Sequence, residues 1–323
     1  MIETRAKWGE LIKGVGLQIL EAMDQGSELY TPGISNLLMT ESSDVGQKHF
    51  TGKVSENRIT RKDEGEDTNE LNRFKTYVTS VDYTAYAAKI EVTRENLMDR
   101  DFSSQLDEAM DIGKASNFSQ DEAGLQIFNG GFDTRKTEIK GYRYQYYNDT
   151  VPTFSVQHPS VVPGTSAQSN ASALGITLTD GNLETGRLAL RKQMTDAGGP
   201  LVMGGSETLV LPLALEKKGR VITESEKVTA SQNNDINTYR GYVNMTTSVL
   251  LDSIHGGSDT AWFLIVPGAT KFVHDVREAM QPWTEVDEDK KTLTVGIYGR
   301  WANYTKDWRR AWGSKGDGGA YSA

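Results

Sequence analysis

The stretch that most limits how this chain can fold is "RKDEGEDTNE", Arg61 to Glu70, which has no apolar side chain. "KVSENRIT" precedes it. "RFKTYVTSVDYTAYAAKIEVT" follows, rich in the Tyr, Val, Thr and Phe that suit a pleated surface. Two strand-type runs around a charged, glycine-containing tip predict one long two-stranded ribbon over residues 46–95. A ribbon on its own is marginal in water. This one must therefore rest on the body of its chain or on another copy. The tip side chains Arg61, Lys62, Asp63, Glu64, Glu66 and Asp67 are the first candidates for a contact between copies.

Residues 1–45 read as an arm. Trp8, Leu11, Ile12, Val15 and Ile19 recur near helical spacing, and "GSELYTPGISNLL" then breaks the pattern. The arm either docks on its own body or reaches a neighbour. Trp8 and Tyr30 are the second pair of candidate contacts. After the ribbon, Phe102, Leu106, Ala109, Met110, Gly113, Asn117, Gly124, Ile127 and Phe128 mark one face of a long helix, capped by Asp101 or Ser103 and stopped by Asn129-Gly130-Gly131. Its small residues Gly113, Ala115 and Gly124 are expected to let a sheet backbone approach.

The second half is a mixed α/β region. "YRYQYYN" reads as an aromatic strand, and "PSVVPGTSAQSNASALG" as a loop. A helix begins at Thr179 or Asp180 and ends at "DAGGP". In "GGSETLVLPLALEKKGRVI" the strand Thr208–Leu211 runs into a helix initiated by Pro212, with Leu213, Leu215 and Val221 as apolar contacts. "TYRGYVNMTTSVLLDS" predicts a strand, "DTAWFLIVPG" a buried strand and "ATKFVHDVREAM" a short helix. In "KKTLTVGIYGRWANY", Leu293, Val295, Ile297 and Trp301 alternate with Thr294, Tyr298 and Arg300. The tail "GSKGDGGAYSA" reads as a flexible end.

Little in the sequence suggests catalysis. Cysteine is absent, which excludes disulfides and thiolate chemistry. His49, His158, His255 and His274 are widely spaced, so no metal site or cofactor is expected. Calcium-loop, P-loop, zinc-protease and nucleophile-elbow patterns are missing. No apolar run suggests a signal peptide or membrane span. The net charge of −9, with scattered basic residues, disfavours direct nucleic-acid binding but is compatible with enclosing DNA.

Arm, charged ribbon, long helix and "LRKQMTDAGGPLV…ETLVLPLALEKKGRVI" together resemble a tailed-bacteriophage major capsid protein of the Hong Kong 97 type. The residues that carry the resemblance are Gln193, Asp196, Gly199-Pro200 and Leu209-Val210-Leu211-Pro212. The late "TAWFLIVPG" and the ending Asp307, Arg309, Ser314 and Gly316 agree with it. The family's apolar phrase before the late proline is replaced by "VREAMQPW", no scaffold-like segment precedes the arm, and Lys62 lacks an identifiable cross-linking partner.

The resemblance implies an α+β fold with an N-terminal arm (1–45), an extended β-loop (46–95), a peripheral domain with a spine helix (96–136), an axial domain (137–258), and return strands with the C-terminal tail (259–323). It implies a non-enzymatic shell subunit, assembled as pentamers and hexamers around a double-stranded DNA genome in a virion. Implied partners are other copies, a portal, a separate scaffolding protein and a decoration protein, with no membrane. An encapsulin-like compartment shell shares the fold. A β-rich carbohydrate-active hydrolase is the alternative of another class.

Overall fold

The computed structural model describes residues 5–55, 61–67, 73–99, 103–133, 138–145, 147, 149–227, 236–287 and 289–320, with backbone alone at 5–11, 53–55 and 97. The elements in chain order are α1 (Arg5–Glu28), β1 (Met39–Ser42), β2 (Gln47–Ser55), β3 (Arg73–Asp82), β4 (Thr84–Thr93), α2 (Arg94–Asp99), α3 (Ser103–Asn129), β5 (Glu138–Ile139) and β6 (Tyr142–Gln145). Then follow α4 (Asp180–Arg191), β7 (Thr208–Pro212), α5 (Glu216–Glu224), β8 (Asn244–Ser248), β9 (Trp262–Ile265), β10 (Lys271–Asp287), β11 (Thr292–Asp307) and β12 (Ala311–Ser314).

The long strand β11 organises the first sheet. It pairs antiparallel with β10 along one edge, and on the other edge antiparallel with β4, then parallel with β6. β1 adds to β10 in parallel, Met39 opposite Val273. The expected alternation holds, since Leu293, Val295, Ile297 and Trp301 are all buried. Ile90 and Val92 of β4 join this face, and α1 and α3 cover it through Ile12, Val15, Ile19, Ala22, Met23 and Ala109.

α1 contains Gly14, Gly16 and Gly26. Each costs about 1 kcal/mol relative to alanine in a helix interior. Burial of each large apolar side chain contributes roughly 1.5–3 kcal/mol, so packing rather than propensity holds α1. Gly26 and Gly113 also serve that packing. A Cβ on Gly113 would collide with the Met23 carbonyl, and one on Gly26 with the Met110 carbonyl. Gly113 therefore admits a helix, not the expected sheet backbone, while Gly124 faces Ile34 and Leu38. Ala115 is exposed.

The second sheet has the order β12-β9-β7-β8, with β7 and β8 parallel and the other pairs antiparallel. It is buried on both faces. Trp262 and Leu264 of β9, with Leu209 and Leu211 of β7, meet Leu183 and Leu190 of α4. Phe263, Ile265 and Val210 turn the other way, onto Phe128 at the end of α3, Phe154 and Phe272. A strand covered on both faces reads as a continuous apolar run, as "WFLI" does. Thr179 caps α4, accepting a hydrogen bond from the Asn182 N–H at 3.2 Å.

Several expectations change. "ATKFVHDVREAM" is not a helix but the start of β10. Phe272, Val273, His274 and Asp275 are buried in succession, and bulges at Val276/Glu278 and Glu278/Gln281 hide the two-residue period. Pro282 fits because β1 pairs only as far as Val276, which leaves that part of β10 an edge. The ribbon's second strand breaks at Tyr83, so that β3 stays with β2 while β4 joins the large sheet. Only Asn244–Ser248 of the predicted strand around it is extended. Pro212 ends β7, and a 3-10 turn precedes α5. Leu215 is buried there, whereas Leu213 and Val221 are exposed. The tail is tied down by Gly318 N–H donating to Gly175 O (2.7 Å) and Gly175 N–H donating to Gly319 O (2.8 Å). Asp101 and Phe102 lie outside the described residues.

Gly113→Ala is expected to lower unfolding free energy by about 1–3 kcal/mol through overpacking at the α1–α3 crossing. Gly14→Ala meets open space and is expected to raise it by up to about 1 kcal/mol. Urea unfolding of both variants checks the pair.

Candidate functional site

β2 and β3 flank the charged tip in sequence. β2 and β3 pair from Gln47 opposite Asp82 out to Ser55 opposite Arg73. Asp63 to Glu66 forms a turn, the Glu66 N–H donating to Asp63 O at 3.2 Å, with Gly65 at φ +85°. Arg61 Nε donates to Asp63 Oδ1 at 2.9 Å, and the Asp63 N–H donates to Glu66 Oε2 at 3.3 Å. Arg61, Lys62, Asp63, Glu64, Glu66 and Asp67 are all exposed. Exposed pairs of this kind contribute about 0–1 kcal/mol, so these charges do little for the fold and stay open to another surface. Thr68, Asn69 and Glu70 lie outside the described residues.

The arm's candidates lie elsewhere. Trp8 is on α1, but its side chain lies outside what is described. Tyr30 is engaged within the chain. Its hydroxyl donates to Asp121 Oδ2 at 2.7 Å and its ring meets Phe118 edge-on. The buried Asp121 also accepts from the Gly33 and Ile34 N–H groups at 2.8 and 2.9 Å. Burial, then the Asp121 carboxylate, pushes the Tyr30 phenol well above its ordinary pKa. Tyr30 thus fastens the arm to α3.

The two phrases that carry the family resemblance meet in space. Gln193 Nε2 donates to Ala311 O (3.0 Å), and Gln193 Oε1 accepts from the Arg310 N–H (2.7 Å). Arg309 bridges Asp196 and Asp307, donates from Nε to Met194 O at 2.9 Å and stacks on Trp308. Burial would lower the Arg309 pKa, but Asp307 and Asp196 more than offset it and hold it raised. The His158 ring also stacks on Trp308, at 4.0 Å. His158 Nδ1 lies 2.7 Å from Asp149, and Nε2 3.0 Å from Asn170 Oδ1. Asn170 in turn donates to Thr153 O and Trp308 O. This buried knot fixes β12 and the loop after α4 to each other.

Sequence reasoning missed a second polar cluster, at the root of the ribbon. Lys48 Nζ on β2 donates to Glu41 Oε2 (2.9 Å) and Asp275 Oδ2 (2.7 Å). The hydroxyls of Tyr83 and Tyr304 donate to the same Asp275 oxygen at 3.1 and 2.9 Å, and Lys306 pairs with Glu41. Burial would raise Glu41, but Lys306 and Lys48 outweigh it and hold its pKa below the usual range. Lys48 and Asp275 are 227 positions apart, so local spacing gave no signal. Among the described residues, no group of three or more His, Asp and Glu is arranged to hold a metal ion, and no helix is long and apolar enough to cross a membrane.

Arg309→Met, which leaves Asp196 buried without its guanidinium, is expected to cost about 3–5 kcal/mol in urea unfolding. At the last residue of α4, Arg191 Nε pairs with buried Glu207 at 2.6 Å. Burial raises the Glu207 pKa, but the Arg191 bond, its own backbone N–H and the nearby charges leave it below 4.5. A depressed carboxylate stabilises fully above its unfolded value, and this is lost as pH falls through the folded one. The stability difference between the protein and Glu207→Gln is therefore expected to shrink as pH is lowered below about 4.5, read by unfolding at a series of pH values.

No protein-family model matches the chain, and no curated protein matches it. Solved structures do. The mature capsid of bacteriophage PhiM1 superposes with a TM-score of 0.54 at 11% identity, covering 88% of this chain and 86% of that one. The capsid of the cyanophage P-SCSP1u gives 0.54 at 9% identity, covering 88% and 87%. The capsid of the Myoviridae phage XM1 gives 0.52 at 12% identity, covering 89% and 94%. The chain has the fold found in these tailed-phage capsids.

Proposed function

We propose that this chain is the major capsid protein of a tailed phage, of the Hong Kong 97 type, and that it self-assembles into the pentamers and hexamers of an icosahedral shell. The observation that carries this is the fold it shares with phage capsids over nearly the whole of both chains. A ribbon whose tip contributes little to its own fold supports it, since a closed assembly needs surfaces that meet complementary ones on the next copy. In this reading the ribbon is the extended loop, α3 the spine helix, the large sheet the peripheral domain and the four-stranded sheet the axial domain. β5 and β6 then belong with the peripheral domain, and β9 and β12 with the axial one.

The chain acts by binding its own copies rather than by catalysis. The net charge of −9 suits a shell that encloses DNA without adhering to it. A portal, a scaffolding protein and a decoration protein are the partners this role calls for, and the virion is its place. The carboxylates gathered at Glu41 and Asp275 are neutralised by Lys48 and Lys306, which is the opposite of the open acid pair a hydrolase needs.

The purified protein, followed by sedimentation velocity and negative-stain microscopy, is expected to form hollow shells or rings of five and six. A protein that stays monomeric with and without its scaffold would overturn the reading. Neutralising the tip with Asp63→Asn, Glu64→Gln, Glu66→Gln and Asp67→Asn is expected to leave stability within about 0.5 kcal/mol and to abolish or slow shell formation. Unaltered shells would remove the tip from the contact.

A further inference from the structure

The ribbon belongs to neither large sheet. β2 and β3 form a two-stranded sheet of their own. Among the described residues no backbone ladder sets the angle at which the ribbon leaves the body, so side chains at its root set it. They converge on one carboxylate, that of Asp275, whose side chain is 0% exposed. From the ribbon come Lys48 on β2 and Tyr83, the residue between β3 and β4. From the body comes Tyr304, whose ring also packs on Phe50 of β2 at 5.5 Å. Val81, Tyr83, Val273, Ala302 and Tyr304 close a small apolar shell around the carboxylate.

We propose that Lys48, Tyr83 and Asp275 form an orientation lock that holds the ribbon at one angle to the body, and so positions its tip. The role given to that tip rests on the capsid reading, but the lock does not. Chain topology makes Tyr83 the pivot, because β4, immediately after it, is paired with β11 from Trp301 to Thr292 and cannot swing. The ribbon can therefore turn only before Tyr83. Of the three donors on that oxygen, Lys48 and Tyr83 come from the ribbon and oppose that turn, while Tyr304 holds the carboxylate from the body side. A bond to a charged, desolvated group resists breaking more than a neutral one. Phe50 and Val81 limit the space into which the root could slip. A buried ion pair is a weak source of net stability and a strong determinant of geometry, which is what a positioning element requires.

The lock can be read in the monomer, so its failure is distinguishable from failure of the capsid reading. The chain has no cysteine, so Glu64→Cys at the tip and Asp107→Cys on α3, both exposed, accept a unique pair of spin labels. Pulsed electron–electron distance measurement on the full chain is expected to give one narrow distribution. Lys48→Met is expected to add a population at other distances, raising the undocked fraction about tenfold, as loss of one bond to a charged group does. Lys48→Arg is expected to restore the narrow distribution, which a purely structural loss would not do. Tyr83→Phe keeps the ring and removes one donor, giving a smaller effect in the same direction. Distributions for Lys48→Met and Tyr83→Phe that superimpose on that of the parent would overturn the proposal.

Discussion

The large sheet and the helices laid on it depend on the hydrogen-bonding edges of β11. A strand of sixteen residues carries donors and acceptors on both sides, and buried ones must be met. β10 meets one side. The other side is divided, with β4 serving the outer length and β6 the inner end. Because β4 is the continuation of the ribbon and β6 follows α3, this division fixes where ribbon, helix and second half depart. The helical layer then follows from the apolar face of the same strand, where Leu293 and Val295 demand cover and α1 and α3 supply it.

Buried carboxylates and their donors mark the joints between the parts of the molecule. Asp275 sits where ribbon meets body, Asp121 where arm meets α3, and Arg309 with Asp196 where β12 meets the loop after α4. Apolar packing tolerates sliding, because hydrophobic contact has little direction. A carboxylate with donors at fixed angles tolerates much less. Placing such groups at joints sets relative orientation, while the aromatic cluster of Phe128, Phe154, Phe263 and Phe272 supplies cohesion.

Regular elements were legible where one period prevailed. The alternation of β11, the length of α3 and the Thr179 cap could all be read from the sequence. β10 could not, because two bulges shift its phase. Gly113 announced a close approach but not whether a helix or a strand would approach. The phrases around Asp196 and Arg309 could be recognised separately, yet only the fold shows that they bond to each other. The charged tip was visible because it is contiguous, whereas the root was not, since Glu41, Lys48, Asp275 and Lys306 are gathered from both ends of the chain.

The pairing of early strands with late ones has a temporal side. β1 near the start of the chain pairs with β10, Met39 opposite Val273, and β9 is flanked on one edge by β12, Ala311 opposite Ile265. During synthesis from the N-terminus, neither sheet can close until β10 and β12 have left the ribosome. Contacts this distant in sequence make for slow folding, and until the late strands arrive, β1 and one edge of β9 stand unpaired. Slow closure leaves those edges open to the wrong partner, another unfinished copy of the same chain included. Rapid production of this protein thus sets its own folding against self-capture.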